Sequence, residues 1–127
     1  MSQPSKMERR RLKRRSLAYY ILVQDANSQQ TIGHLVDISP IGLMLDSPKP
    51  LPVGKDFRLR LDTNPDVADK PYIIFVARTK WCQQDSIDTT LYDVGFSIVS
   101  ITTHDAEIIV HIAEKYASQE GFSFPAK

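Results

Sequence analysis

One cysteine, Cys82, in 127 residues leaves no internal disulfide to hold the chain together and fits a reducing compartment. No apolar run approaches the ~20 residues that span a bilayer. The first residues are basic with no apolar segment behind them, the reverse of a secretory leader. His34, His104 and His111 stand at no metal-like spacing from one another or from Cys82. There is no glycine-rich phosphate loop, no Ser/His/Asp or Cys/His arrangement and no paired acid–base site. These absences predict a soluble, cytoplasmic protein that is not an enzyme, holds no cofactor and does not insert into a membrane.

What is present is ordinary in amount and uneven in placement. Apolar residues make up 42% and charged residues 24% of a length that suits one domain with a single core. The net charge is +1, yet of the 16 basic residues seven fall within 1–15: Lys6, Arg9, Arg10, Arg11, Lys13, Arg14 and Arg15. Of the 15 acids only Glu8 lies there, so 16–127 keep nine basic and fourteen acidic residues. A basic arm joined to a mildly acidic body is suited to a polyanionic partner: nucleic acid, an anionic membrane surface or a phosphorylated small molecule.

The body reads as a run of short strands. Leu17 to Val23 is aromatic and β-branched, and Asp25 to Gln30 follows as a polar turn. Thr31 to Ile38 alternates, with Ile32, His34 and Val36 on one face and Gly33, Leu35 and Asp37 on the other. Pro40 and Gly42 interrupt the ladder, the glycine permitting a positive φ. Leu43 to Leu45 is a short third strand, and a proline-rich connection runs to Gly54. Asp56 to Leu61 sets Phe57, Leu59 and Leu61 inward and Arg58 and Arg60 outward; the two arginines could extend a basic site. Asn64 to Pro71 is a polar loop, and Tyr72 to Lys80 and Leu91 to Val99 are longer strands joined through Gln83 to Thr89. The tail then changes period. Thr102 or Thr103 can cap a helix with acids in its first turn, an apolar stripe of Ile108, Ile109, Ile112, Ala113 and Tyr116, and a stop at Gly121. About six closely spaced strands and one helix predict a mainly β protein: a small barrel closed by a C-terminal helix. The domain reading is a flexible basic arm over 1–15, the barrel with its helix over 16–120, and a tail over 121–127.

Two motifs carry the functional reading. Arg10-x-x-x-Arg14 lies inside the basic arm, just before the first strand. Asp37-Ile38-Ser39-Pro40-Ile41-Gly42, a D-x-S-x-x-G, falls at a break between strands. In this order and this all-β context the pair resembles the signature of the PilZ family of cyclic di-GMP receptors. The likeness extends to Arg78–Trp81 ending one late strand and Val94-Gly95-Phe96 in the next, and so covers roughly Glu8 to Val99. It implies a six-stranded antiparallel barrel with a C-terminal helix, binding cyclic di-GMP and relaying the signal to a protein partner in bacterial motility or surface attachment.

The chemistry is consistent with that ligand. A guanidinium forks onto guanine O6 and N7 or clamps a phosphate, and a carboxylate accepts from guanine N1–H and N2–H. The resemblance assigns Arg10 and Arg14 as principal ligand arginines and Arg9 and Arg11 as helpers. Asp37, Ser39 and Gly42 would form the barrel-side wall, and Lys13 and Arg15 would add to the field. Trp81 either stacks on a guanine face or packs as rim. An arm that folds over its ligand would change the surface offered to a partner. One or two ligand molecules and a monomer or a ligand-dependent dimer all fit. Two other classes compete: a small nucleic-acid-binding barrel, which the acidic body opposes, and a PilZ-like adaptor that binds no ligand, which retention of both motifs opposes.

Overall fold

A computed structural model of the protein describes residues 21–120, and side chains as far as 115. It contains six strands: β1 Leu22–Asp25, β2 Thr31–Ser39, β3 Gly42–Ser47, β4 Asp56–Asp62, β5 Tyr72–Gln84 and β6 Tyr92–Ser100. All pairings are antiparallel, and the order β1-β2-β3-β6-β5-β4 closes when β4 returns to β1. Closure pairs the ladder groups around the whole circumference, so that none of these six strands is left as an edge. A helix, α1, Thr103–Glu120, follows and packs against β2. No helix among the described residues is long and apolar enough to cross a membrane.

The interior is assembled from cross-strand rows. Leu35, Leu45, Val94 and Cys82 pair in sequence across β2, β3, β6 and β5, and Ile38, Leu43, Phe96 and Thr79 form the next inward row. Val23, Leu61 and Ile73 continue the core across β1, β4 and β5. Phe57 meets Phe96 edge-on at 6.0 Å, a favoured aromatic geometry. The strict alternation predicted for β2 fails. Register shifts interrupt its pairing with β1 near Ile32 and with β3 at Val36, so Leu35 and Ile38 both pack on the core. Such β-bulges add one residue to a strand and reset which face the following side chains take.

Several strand limits also move. β1 runs on to Asp25, whose carboxylate accepts the Asn27 and Ser28 amides at 2.8 and 3.1 Å and so starts the turn as it ends the strand. β3 is longer than Leu43 to Leu45, and β5 runs four residues past Lys80 because Gln83 and Gln84 pair with Asp93 and Tyr92. Asp85, sealed from solvent, accepts the Ile87 and Asp88 amides at 2.8 and 2.9 Å and fixes the β5–β6 connection. Residues 17–20 of the expected first strand, Gly121 and the 121–127 tail lie outside the described residues.

The helix starts where a threonine can cap it: Thr102 Oγ1 accepts the Asp105 amide at 3.2 Å. Ile108, Ile109, Ile112 and Ala113 are buried as the helical spacing predicts. The polar loop between β4 and β5 does more than expected, since Val67 drops into the core. Polar contacts hold that loop to α1: Lys70–Asp105 at 2.7 Å, His104–Asp69 at 3.1 Å and Lys115–Asp66 at 3.9 Å. The proline-rich connection is tied to β5 by Thr79, which is fully buried. Its hydroxyl donates to Pro52 O at 2.6 Å and accepts the Lys55 amide at 3.0 Å.

Replacing Thr79 by Val keeps the volume and removes both bonds, so Thr79→Val is expected to cost about 1–3 kcal/mol in urea unfolding. A cost near zero would show that the connection is held by other means. A second expectation concerns acid. A hydrogen bond from His104 holds the Asp69 carboxyl below its ordinary value, and one from Arg78 does the same for Asp56. Both folded-state values are lowered, so this stabilisation is complete above the unfolded aspartate value of ~3.9 and disappears as pH falls through the lower folded values. Both groups are exposed, so the effect is shallow. Melting temperature should decline more gently below about pH 4 in an Asp56→Asn/Asp69→Asn variant than in the wild type. Identical acid slopes would count against it.

Candidate functional site

The inward rows of the barrel wall have outward counterparts. Asp37, Met44, Gly95 and Trp81 pair in sequence across β2, β3, β6 and β5, and Ser39, Gly42, Ser97 and Arg78 form the adjoining row. Between these rows lies a cleft of about 300 Å³ on the outer wall. Of the residues singled out from sequence, Asp37, Ser39, Gly42 and Trp81 all line it, although more than 40 positions separate the first from the last. Arg9, Arg10, Arg11 and Arg14 lie outside the described residues.

The D-x-S-x-x-G segment forms the β2–β3 turn. Ser39 Oγ accepts the Ile41 amide at 3.3 Å and donates to Gly42 O at 3.4 Å, which draws the turn tight. The Ile98 amide donates to Ile41 O at 2.9 Å and ties the tip to β6. Ile41 itself is 66% exposed and lines the cleft. Gly42 is needed for a reason other than the one expected. Its φ is not positive; among the described residues positive φ occurs at Gln29 and Gly54. A Cβ at Gly42 would instead stand 2.5 Å from the Phe96 carbonyl oxygen across the β3–β6 ladder. Asp37 is 5% exposed, so its carboxylate is a largely desolvated acceptor in the cleft wall.

Trp81 does not end its strand but stands three residues before the end of β5, facing outward and 41% exposed. Its seat is Gly95: a Cβ there would come within 2.3 Å of the indole Nε1 and Cε2. The pairing of β5 with β6 slips between Thr79 and Trp81, leaving Lys80 as the extra residue of a bulge. Lys80 and Trp81 are therefore both exposed and both line the cleft, while Thr79 on their inner side is sealed. At the rim, Arg78 forks onto Asp56 with Nε–Oδ1 at 2.6 Å and Nη2–Oδ2 at 3.3 Å. Arg58 and Arg60 do not line the cleft; Arg60 lies over the Tyr72 ring at 3.9 Å and pairs with Asp62 at 3.3 Å.

From the described residues the cleft thus offers an exposed indole, an apolar wall from Ile41 and Met44, a buried carboxylate and one ammonium. That set can take a flat aromatic ring bearing N–H donors with an anion attached. Ile41, Met44, Lys80 and Ser97 were not read from the sequence as site residues. For Met44 and Ser97 the signal was strand parity, available once the β3–β6 register is known. For Lys80 none existed, because a bulge is invisible to period-2 counting. No group of three His, Cys, Asp or Glu side chains among the described residues is placed to hold a metal ion.

A family model, that of the PilZ domain, matches residues 8–115. No curated protein sequence matches the chain. Among solved structures, the barrel is similar to the inhibitor of motility MotI/DgrA of Bacillus subtilis, with a TM-score of 0.67 and 13% identity over 82% of this chain. The chain spans about half of that protein, 49% of its length. It is also similar to the PilZ domain of YcgR from Escherichia coli, solved with c-di-GMP. There the TM-score is 0.60 and the identity 13%, covering 79% of this chain and 82% of that one. At this identity the structural likeness is one of fold.

The two glycines of the cleft should respond differently to a methyl group. Gly42→Ala drives Cβ against backbone and is expected to cost about 1–3 kcal/mol of unfolding free energy, as overpacking does. Gly95→Ala meets only a surface indole that can swing away. It should leave the melting temperature within a few degrees of wild type while shifting Trp81 emission, a clean signal because the chain has one tryptophan. A large loss of stability in Gly95→Ala without a change in emission would contradict the seat described for the ring.

Proposed function

The chain belongs to the PilZ domain family, and on that premise we propose that it is a cyclic di-GMP receptor whose ligand lies in the cleft on the outer barrel wall. PilZ domains are ligand-binding receptors rather than enzymes. The observation that carries the proposal is the convergence of Asp37, Ser39, Gly42 and Trp81 on one cleft. Asp37 accepts from a guanine N–H edge, Trp81 offers a face for stacking, Ser39 supplies a hydroxyl, and Gly42 keeps the wall flat enough for close approach. Arg10 and Arg14, helped by Arg9 and Arg11, supply the phosphate and guanine contacts that a fork of guanidinium donors makes best. The output is contact with a protein partner in the cytoplasm. YcgR was solved with this ligand, and MotI is an inhibitor of motility, which supports a role in motility control.

Calorimetric titration with cyclic di-GMP tests the proposal. Wild-type protein should bind saturably, and Arg14→Ala and Asp37→Ala, checked for folding by circular dichroism, should each weaken binding by at least about tenfold, the worth of a charge-assisted hydrogen bond. The same titration yields the stoichiometry. Absence of heat with folded wild-type protein would sink the receptor reading and leave the adaptor or nucleic-acid alternatives, which an RNA-binding assay separates.

A further inference from the structure

We infer that Lys80 is a ligand-contacting residue of the cleft, its ammonium taking a phosphodiester of a nucleotide whose base lies against Trp81. The inference rests on the receptor reading above and assigns a residue that neither sequence motif contains.

The first observation is the bulge. In a regular strand Lys80 and Trp81 would face opposite sides of the wall. Thr79 opposes Phe96 and Trp81 opposes Gly95, so Lys80 has no partner position of its own, and both side chains turn outward into the cleft. Bulges recur beside functional sites because they re-aim a side chain in this way. The second is charge. Among the described residues that line the cleft, Lys80 is the basic one and Asp37 the acidic one. The third is commitment. Arg78, two residues earlier on the same strand, already forks onto Asp56. Lys80 forms no ion pair among the described residues, so its ammonium is available to an incoming anion. An ammonium on a long, flexible stem acts as a point charge and does not require the planar match a guanidinium does. It suits a phosphate whose position is set by something else, here the base on the neighbouring indole.

The test is titration of full-length wild type, Lys80→Ala, Lys80→Arg and Lys49→Ala with cyclic di-GMP at low and high salt, followed by calorimetry. Lys49 is exposed on the proline-rich connection, so its removal makes the same change in net charge away from the cleft. Lys80→Ala is expected to weaken binding about fivefold at low salt, the scale of an exposed charge pair, and to reduce the loss of affinity caused by added salt. Lys80→Arg and Lys49→Ala should bind as wild type does. Wild-type affinity and salt dependence in Lys80→Ala would overturn the inference while leaving the receptor reading intact, as would an equal loss in Lys49→Ala. Failure of the wild type itself to bind would overturn the receptor reading, and the role of Lys80 with it.

Discussion

Everything at the cleft depends on the register of four strands, β2, β3, β6 and β5. Because side chains alternate along a strand, a slip of one residue in any of these pairings would send one wall's outward set into the core. The register is held on both sides. Inward, Leu43, Leu45, Val94 and Phe96 are buried and leave no room for a polar substitute. At the ends, the Ser39–Gly42 turn and the Asp85-capped connection between β5 and β6 fix where pairing begins. The bulges at Val36 and Lys80 both break simple alternation beside the cleft, while a third, at Val99 of β6, lies further along the β5–β6 ladder.

This arrangement divides the work between two faces of the same strands. Met44 and Gly95 look outward from positions whose neighbours Leu43, Leu45, Val94 and Phe96 make the core. Buried polar groups with a structural task, Thr79 and Asp85, bind the backbone of connections between strands and not the cleft. Outward side chains can therefore vary without opening a cavity, whereas Gly42 is constrained by backbone and belongs with the core in its consequences. A wall of this kind can retain its fold at 13% identity to other barrels, since what it must keep is alternation, closure and a few close approaches.

Much of the fold was legible because period and turn chemistry are local. The alternation of Phe57, Leu59 and Leu61, the helical spacing of Ile108, Ile109, Ile112 and Ala113, and the cap at Thr102 all appear as read. The faces of β2 were not legible, since a bulge leaves no trace in composition. Nor was the burial of Val67, which depends on where a loop lands in three dimensions. At the site, the D-x-S-x-x-G was visible as a motif, but the reason for its glycine was not: the constraint comes from the Phe96 carbonyl on a strand more than 50 residues later. Trp81 was visible as a candidate. That it lies against Gly95, with Lys80 beside it, follows only from register.

The charge of the cleft bears on how a receptor of this kind would recognise its ligand. A cyclic dinucleotide brings two phosphates, each with a negative charge. The described lining offers one base, Lys80, and one acid, Asp37, and so no net positive charge. Around it the body is acidic, with nine basic against fourteen acidic residues over 16–127. The barrel wall is thus suited chiefly to the neutral parts of such a ligand, through an indole, apolar side chains and a carboxylate acceptor for a guanine edge, with Lys80 adding a single cation for one phosphate. Beyond Lys80, the densest positive charge available to match two phosphates is that of the seven basic residues of 1–15. On the receptor reading, wall and arm therefore do different things. The wall would distinguish bases and hold one phosphate through Lys80, the arm would supply most of the field, and neither alone has the chemistry for a dinucleotide.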